Sequence, residues 1–593
     1  MRPVTEIVKR VVSVGCCVVV SGVASGAAPM PGAMRMVPEG TDLMVVTPDL
    51  GELLRDMDAL NAAFGEQSSM DITLATSLVR GMPGIDRGGS AAIALEFGGG
   101  GFETEPEMIA IVPVSDFDAL RQGREAVDGV VELNMGGTAV FLRSIGGGYA
   151  ALGRDAGSLR SFEPGSRADG ALTEMLGATG VRVAEQNDAF MVLDMDAVRP
   201  MLEAGFGQLE AQADMAELMA GPEAARGLDA MISVYKSAVR DGRVVLHGMN
   251  FERQTGLSMD FAVGFTDGSE TALKLNNPGN ADAHMRRVPA TGFFTAWAYD
   301  FSGEGFREML TEAGAFIEGM DAAGVGGGID FGGMLKAYNG GAFVMGSTDA
   351  MMMNGLFSKT VYYGATDEPG ESIGMFREMY KGMDGSEQQG VSVTASVSDD
   401  PETVDGVSAY THTMRMEMDP AMAGGGPMGG PSPTMMMQMM YGPNLGPSGY
   451  LAPVDGGVVM TMSRDAAMLK RSVNAARGIG TLKEDPGIAA ASALLPENRV
   501  LEGYIGTEHV LNAVGPMLMM FGVVPEFEPV GAMTPVAMGA TADGGAVMLR
   551  AVVPVKTITT VMEMVPENMG MPGAGGGAAP GPADDGDDED ISF

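Results

Sequence analysis

The chain is 593 residues long, 45% of them apolar, with a formal net charge of −40. That length exceeds one ordinary core, so several domains or subdomains are expected, and the apolar fraction is enough to fill them. The charge argues against nucleic acid and an anionic membrane surface, because no Lys/Arg stripe is present to neutralise phosphates. The carboxylates are scattered, as for simple solubility; cation attraction is the alternative.

Arg2, Lys9 and Arg10 frame a largely apolar run at 11–20, and small residues fill 21–28. This is the layout of an export signal, so residues 1–27 are expected to be removed, with cleavage after Ala24 or Ala27. Gly15-Cys16 raises a lipoprotein alternative, which Ser13 and the short preceding apolar run disfavour. Both cysteines, Cys16 and Cys17, fall inside the signal. An exported mature chain, in the periplasm or at the cell surface, then has no thiol, disulfide or thiolate ligand. No later stretch reads as a membrane span; 510–524 comes nearest, is interrupted by Asn512, Gly515 and Pro516, and is expected to be a core helix.

Residues 42–46 read as a strand, and Thr47-Pro48-Asp49 as a helix start with Thr47 as N-cap and Pro48 at the first helical position. Leu50, Leu53, Leu54 and Met57 follow at helical spacing. Strands at 91–95 and 108–112 are joined across Gly98–Gly101, and Ser115-Asp116 caps a helix containing Phe117 and Leu120. The same order then recurs. Pro38 and Pro289 are 251 residues apart, as are Asp116 and Asp367. Strands at 342–345 and 360–364 stand where the first pair stood. Asp128-Gly129-Val130 returns as Asp405-Gly406-Val407, Arg154-Asp155-Ala156 as Arg464-Asp465-Ala466, and Val198-Arg199-Pro200-Met201-Leu202 as Val514-Gly515-Pro516-Met517-Leu518. A hairpin at 244–265 is echoed at 536–553.

Matches in one order on one kind of element predict a tandem duplication. The fold class expected is α+β, two tandem repeats of mostly antiparallel sheet backed by helices, because the short Gly-rich turns leave few crossovers. The repeats are placed at 33–280 and 284–566, divided at the breaker cluster Asn276-Asn277-Pro278-Gly279-Asn280. The second carries a Met/Gly/Pro-rich loop at 422–446 and lacks most of the helical stretch at 203–243. A disordered acidic tail is expected at 567–593.

The opening at 37–54, Val112-Pro113-Val114-Ser115-Asp116-Phe117, and Gly147-Gly148-Tyr149-Ala150-Ala151-Leu152 ahead of Arg154-Asp155 together resemble an uncharacterised family of exported bacterial proteins. That family is a domain of unknown function whose members open with a proline–strand–helix unit. The likeness could cover most of 33–566. The second half departs from it, with Ala290-Thr291-Gly292 after its proline and no Val-Pro before Asp367. The family has no assigned activity or catalytic residues, so the resemblance implies none here.

The histidines are His247, His284, His412 and His509, and no two have metal-ligand spacing such as H-E-x-x-H. His247 and His412 fall in predicted strands, and His509 follows Thr507-Glu508 at a helix start, so structural roles are expected. No G-x-S-x-G elbow is present, and nothing marks a serine nucleophile elsewhere. Gly98–Gly101 and Gly146–Gly148 lack the Lys-Ser/Thr of a phosphate loop and read as hairpin turns, while Gly324–Gly328 reads as a helix stop. Asp194-Met195-Asp196 and the tail offer weak cation binding at most. The 53 methionines are the compositional anomaly, with runs at 351–353, 414–418, 435–440 and 517–520. Thioethers capture Cu(I), but methionine is also a deformable core filler; only the run at 435–440, expected in an exposed loop, favours the metal.

No catalytic, cofactor-binding or metal residue is assigned. The sequence predicts an exported, non-enzymatic binding or scaffold protein whose partner is an unknown protein or an apolar small molecule. A carrier using a groove of Met, Leu and Phe, and a Cu(I) or cation binder, are the alternatives.

Overall fold

The computed structural model describes residues 30–64, 79–97, 106–135, 138–220, 222–252, 255–311, 314, 331–347, 355–388, 390–418, 433–520 and 526–564. The expected signal, the turn at 98–101, the glycines at 324–328, the methionines at 351–353 and the acidic tail lie outside them.

The first strands are β1 (Leu43–Thr47), β2 (Ala91–Glu96), β3 (Glu107–Pro113), β4 (Val130–Met135), β5 (Thr138–Gly146), β6 (Tyr149–Gly153), β7 (Ala189–Asp194), β8 (Gly242–Glu252) and β9 (Gly256–Phe265). They lie side by side in the order β4-β5-β6-β3-β2-β1-β7-β8-β9. The later strands are β10 (Phe293–Asp300), β11 (Gly340–Gly346), β12 (Thr360–Ala365), β13 (Glu387–Gln388), β14 (Val391–Val397), β15 (Glu402–Val404), β16 (Val407–Met418), β17 (Ser448–Val454), β18 (Gly457–Thr461), β19 (Leu501–Ile505), β20 (Val536–Asp543) and β21 (Ala546–Val553). Their order is β13-β14-β16-β17-β18-β12-β11-β10-β19-β20-β21, with β15 on the start of β16. β21 pairs with β9 from Leu257↔Val553 to Gly264↔Ala546, which makes one sheet of the two runs. Every pairing among these strands is antiparallel, so the chain is a mixed helix and antiparallel-sheet protein.

The two faces of this sheet are covered unequally. On the first, Met44, Val46, Ile111, Phe190, Val192, Leu246 and Ala262 form a buried cluster with Leu172, Leu176 and Val183 of the helix Asp169–Gln186. Further along the same face, Ala296, Ala298, Val344, Tyr363 and Tyr504 pack with Met285, Leu469, Val473 and Ile488 from the helices Ala281–Met285, Ala466–Ala476 and Pro486–Ser492. On the second face, Leu120 of the helix Phe117–Leu120 covers Val131, Leu142 and Leu152 at one outer end. Ile373, Phe376 and Tyr380 of the helix Pro369–Met383 cover Leu451 and Val458 at the other.

Local chemistry explains most boundaries. Asp116, Asp155 and Asp465 each accept amide hydrogens of the first turn that follows them (Asp116 from Ala119, Asp155 from Ser158, Asp465 from Ala467 and Met468), as N-caps do. Gly146, Gly147 and Gly148 all take positive φ in the tight β5–β6 turn.

Four expectations need correcting. Thr47 ends β1 rather than capping the next helix; Asp49 Oδ1 accepts Glu52 N at 2.8 Å, so the helix Leu50–Phe64 starts two residues later and leaves Pro48 outside it. Asp367 is no counterpart cap either, since its helix starts with Pro369 at the first position and no capping side chain. The methionine run expected in a loop within 422–446 forms the helix Pro433–Tyr441, because unbranched methionines are good helix formers. The stretch expected to be a core helix at 510–524 is the helix Thr507–Met520, which lies at the surface with Val514 and Met519 exposed.

Candidate functional site

Among the described residues the densest polar constellation lies on the first face, and no motif marks it. Glu502 on β19 is fully buried, and Lys483, in the 3₁₀ turn Leu482–Glu484, is nearly so. Lys483 Nζ is 2.5 Å from Glu502 Oε1, 2.6 Å from Asp282 Oδ1 and 2.6 Å from Ser492 Oγ. The Tyr504 hydroxyl donates to Glu502 Oε1. Arg499 reaches Asp282 at 3.3 Å and Glu502 Oε2 at 3.6 Å; Oε2 has no hydrogen-bond donor of its own. Burial pushes the Asp282 carboxyl up, but Lys483 and Arg286 outweigh it and hold it below its usual value. Burial, then the Glu502 charge, drives the Tyr504 phenol far up.

Ser492 beside Lys483 has the spacing of a serine–lysine pair. The same ammonium, however, is bonded to both carboxylates, and its donors are spent on holding four elements together. The geometry is that of a structural pin.

A second network sits two strands away. Asp260 on β9, fully buried, takes two hydrogen bonds from Arg550 on β21 at 2.6 and 2.7 Å and one from Asn187 at 2.7 Å. Arg550 also donates to Gln186 Oε1. Along this row Gly248, Asp260, Arg550, Gly539 and Glu502 are successive cross-strand partners. The ionic groups of the middle strands therefore gather on the first face.

The second face of the same strands is different. Val45, Met191, His247, Phe261, Leu549 and, beyond Ala540, Leu501 form one transverse row from β1 to β19. Beside it runs Met249, Met259, Ala551 and Met538. These side chains are mostly half-buried. Phe261 and Leu549, direct partners across β9–β21, are 46% and 37% exposed in the middle of the sheet. Among the described residues this face of β7, β8, β9, β21, β20 and β19 carries no carboxylate. Its one basic residue, Arg243, lies at the β8 bulge and turns away to Gly177 and Asp267. His247 is lowered by burial and stays neutral near pH 7.

The residues weighed in the sequence are dispersed. His412 Nε2 donates to Thr461 O at 2.8 Å, its Nδ1 accepts from the Tyr380 hydroxyl at 3.0 Å, and burial lowers it to about 4. His284 lies beside Tyr363, and His509 packs on Phe293. A Cβ added at Gly292 would meet both His509 and Ser347 Oγ at about 2.8 Å, so these two side chains flank one glycine, without a hydrogen bond between them. Asp194 Oδ1 accepts Asp196 N, and Asp196 pairs with Arg199 at 2.6 Å, which commits both to a helix start. Met435 and Met440 are exposed on their helix. Buried Asp188 is raised to about 8 by burial and by the nearby Glu52 and Asp56 charges. Among the described residues, no three His, Cys, Asp or Glu side chains converge as metal ligands, and no helix is long and apolar enough to cross a membrane. Comparison with protein-family models, curated proteins and solved structures gave no significant match to this chain.

Proposed function

We propose that this is an exported, non-enzymatic binding protein of the cell envelope, built from two copies of one α+β unit, that holds an apolar ligand on the second face of its sheet. Export rests on the charged start, apolar run and small residues of 1–28. N-terminal sequencing of the mature protein should begin at Ser25 or Ala28.

The duplication is supported by strand order. The run β4-β5-β6-β3-β2-β1-β7-β8-β9 corresponds, strand for strand, to β16-β17-β18-β12-β11-β10-β19-β20-β21. Asp155 and Asp465 cap the helices that follow β6 and β18. On this reading the copies are 33–280 and 284–566, and β13–β15 and the helix Pro433–Tyr441 are additions to the second.

The binding reading is carried by one observation. Phe261 and Leu549 are exposed at the centre of a wide sheet, in a field of half-buried apolar neighbours, where a finished core would bury them. An environment-sensitive apolar dye such as bis-ANS should bind the folded protein there. Phe261→Glu with Leu549→Glu should weaken that binding at least tenfold without changing the far-ultraviolet circular dichroism. Equal dye binding by the two proteins would remove the second face as the working surface.

A further inference from the structure

The second face also constrains its occupant. From Met191 on β7 to Leu501 on β19 the transverse row crosses six strands, which at roughly 4.8 Å per step is about 24 Å. A hydrocarbon chain filling half of a bilayer core is about 15 Å long, so one lies within the row. Apart from His247 the lining is apolar, and its methionines (Met191, Met249, Met259 and Met538) have unbranched, deformable side chains that adapt to a flexible chain better than to one rigid shape. No side chain on this strip would pair with an anion, and a chain of net charge −40 repels one.

We propose, resting on the binding reading above, that the occupant is the acyl chain of an uncharged or zwitterionic lipid, laid across the strands over Phe261 and Leu549. Each methylene removed from water should tighten binding about fourfold, so affinity should climb with chain length until the row is filled. The polar head would lie outside the strip.

The test uses the full mature protein with bis-ANS bound. Lysophosphatidylcholines of ten, twelve, fourteen and sixteen carbons are titrated in, alongside palmitate and phosphatidylcholine vesicles. The expected result is displacement that strengthens about fifteen-fold with each two carbons, with palmitate weaker than the sixteen-carbon zwitterion. Displacement by vesicles would identify a membrane lipid as the source, and displacement by the single-chain species alone a free monoacyl lipid. Dye that binds the wild type, is lost in the double Glu variant, and is displaced by none of these amphiphiles overturns the acyl proposal while leaving the surface intact. Palmitate binding as tightly as the zwitterion would overturn the charge argument. Failure of the dye to distinguish wild type from the variant overturns the surface itself.

Discussion

Replacing Asp188 by Asn should make the protein more stable at neutral and alkaline pH. Asp188 is 8% exposed at the mouth of β7, its Oδ2 has no hydrogen-bond partner, and the carboxyls of Glu52 and Asp56 on the Leu50–Phe64 helix face it. Burial first, then those two charges, raise it from 3.8 to about 8, against a smaller opposing pull from the amides of Asp188 and Phe251. Between those values the folded state keeps a proton that the unfolded chain has released. Stability from this group is therefore complete below about pH 4, declines as pH rises, and is gone above about 8. At about 1.4 kcal/mol per pH unit the full span is about 5–6 kcal/mol, and relaxation around a charged site should leave roughly half of it. Asn cannot ionise and keeps the shape. Urea denaturation of both proteins from pH 4.5 to 8.5 isolates the effect, because every other titration cancels in the difference. The variant should gain on the wild type steadily with pH, by about 2–4 kcal/mol at pH 8. Two curves that stay parallel would show that Asp188 is ionised in the folded protein, and the reasoning would fail.

His412 should act with the opposite sign: burial lowers it to about 4, so its stabilising contribution is present above about 6.5 and is lost as pH falls toward 4. His412→Gln, compared with wild type across that window, should abolish an acid-side loss of about 3 kcal/mol. Glu502→Ala strips Lys483 and Arg499 of their buried partner and should cost about 3–5 kcal/mol, whereas the joint change Glu502→Met with Lys483→Met should recover a large part; denaturant midpoints decide it. Asp465→Ala removes the two cap bonds to Ala467 and Met468 and should cost about 1 kcal/mol by the same measurement.

Features read from sequence succeeded where the physics was local. An aspartate accepting the amides of its own next turn leaves a signature within four residues, so Asp116, Asp155 and Asp465 were legible. The three glycines of the β5–β6 turn were legible for the same reason. Thr47 was misjudged because two capping residues, Thr47 and Asp49, bracket one proline, and only the backbone decides which becomes the cap. The lysine network left no trace because its members come from distant parts of the chain, with Arg499 lying 217 residues from Asp282. Lys483 in Thr481-Leu482-Lys483-Glu484 looks like any solvated charge until β19 closes over it. The open sheet face was hidden for another reason. β9 and β21 are apolar on both faces apart from Ser258, Asp260 and Arg550, so the alternation that normally separates inside from outside is nearly absent.

That lack of contrast has a structural counterpart in how the two runs of strands are held together. β9 and β21 exchange backbone hydrogen bonds along eight paired positions, and the ionic side-chain contact across the join lies on the first face. Gly248 leaves room for the Asn187 amide, which a Cβ would meet at 2.6 Å, and Gly539 leaves room for Arg499 at 3.1 Å. Between these glycines Asp260 and Arg550 close on each other across the join. A buried pair of this kind contributes little net stability over an apolar pair, yet breaking it strands a charge, so it fixes register more than it adds strength. On the second face Val263 and Val547 pack with Phe265 and Leu275 toward one end of the join, and the register set on the first face leaves the middle free of such contacts. Phe261 and Leu549 can remain exposed there without loosening the sheet. Disrupting Asp260–Arg550 should therefore weaken the join as a whole, whereas changes at Phe261 and Leu549 should alter what the surface holds and leave the fold standing.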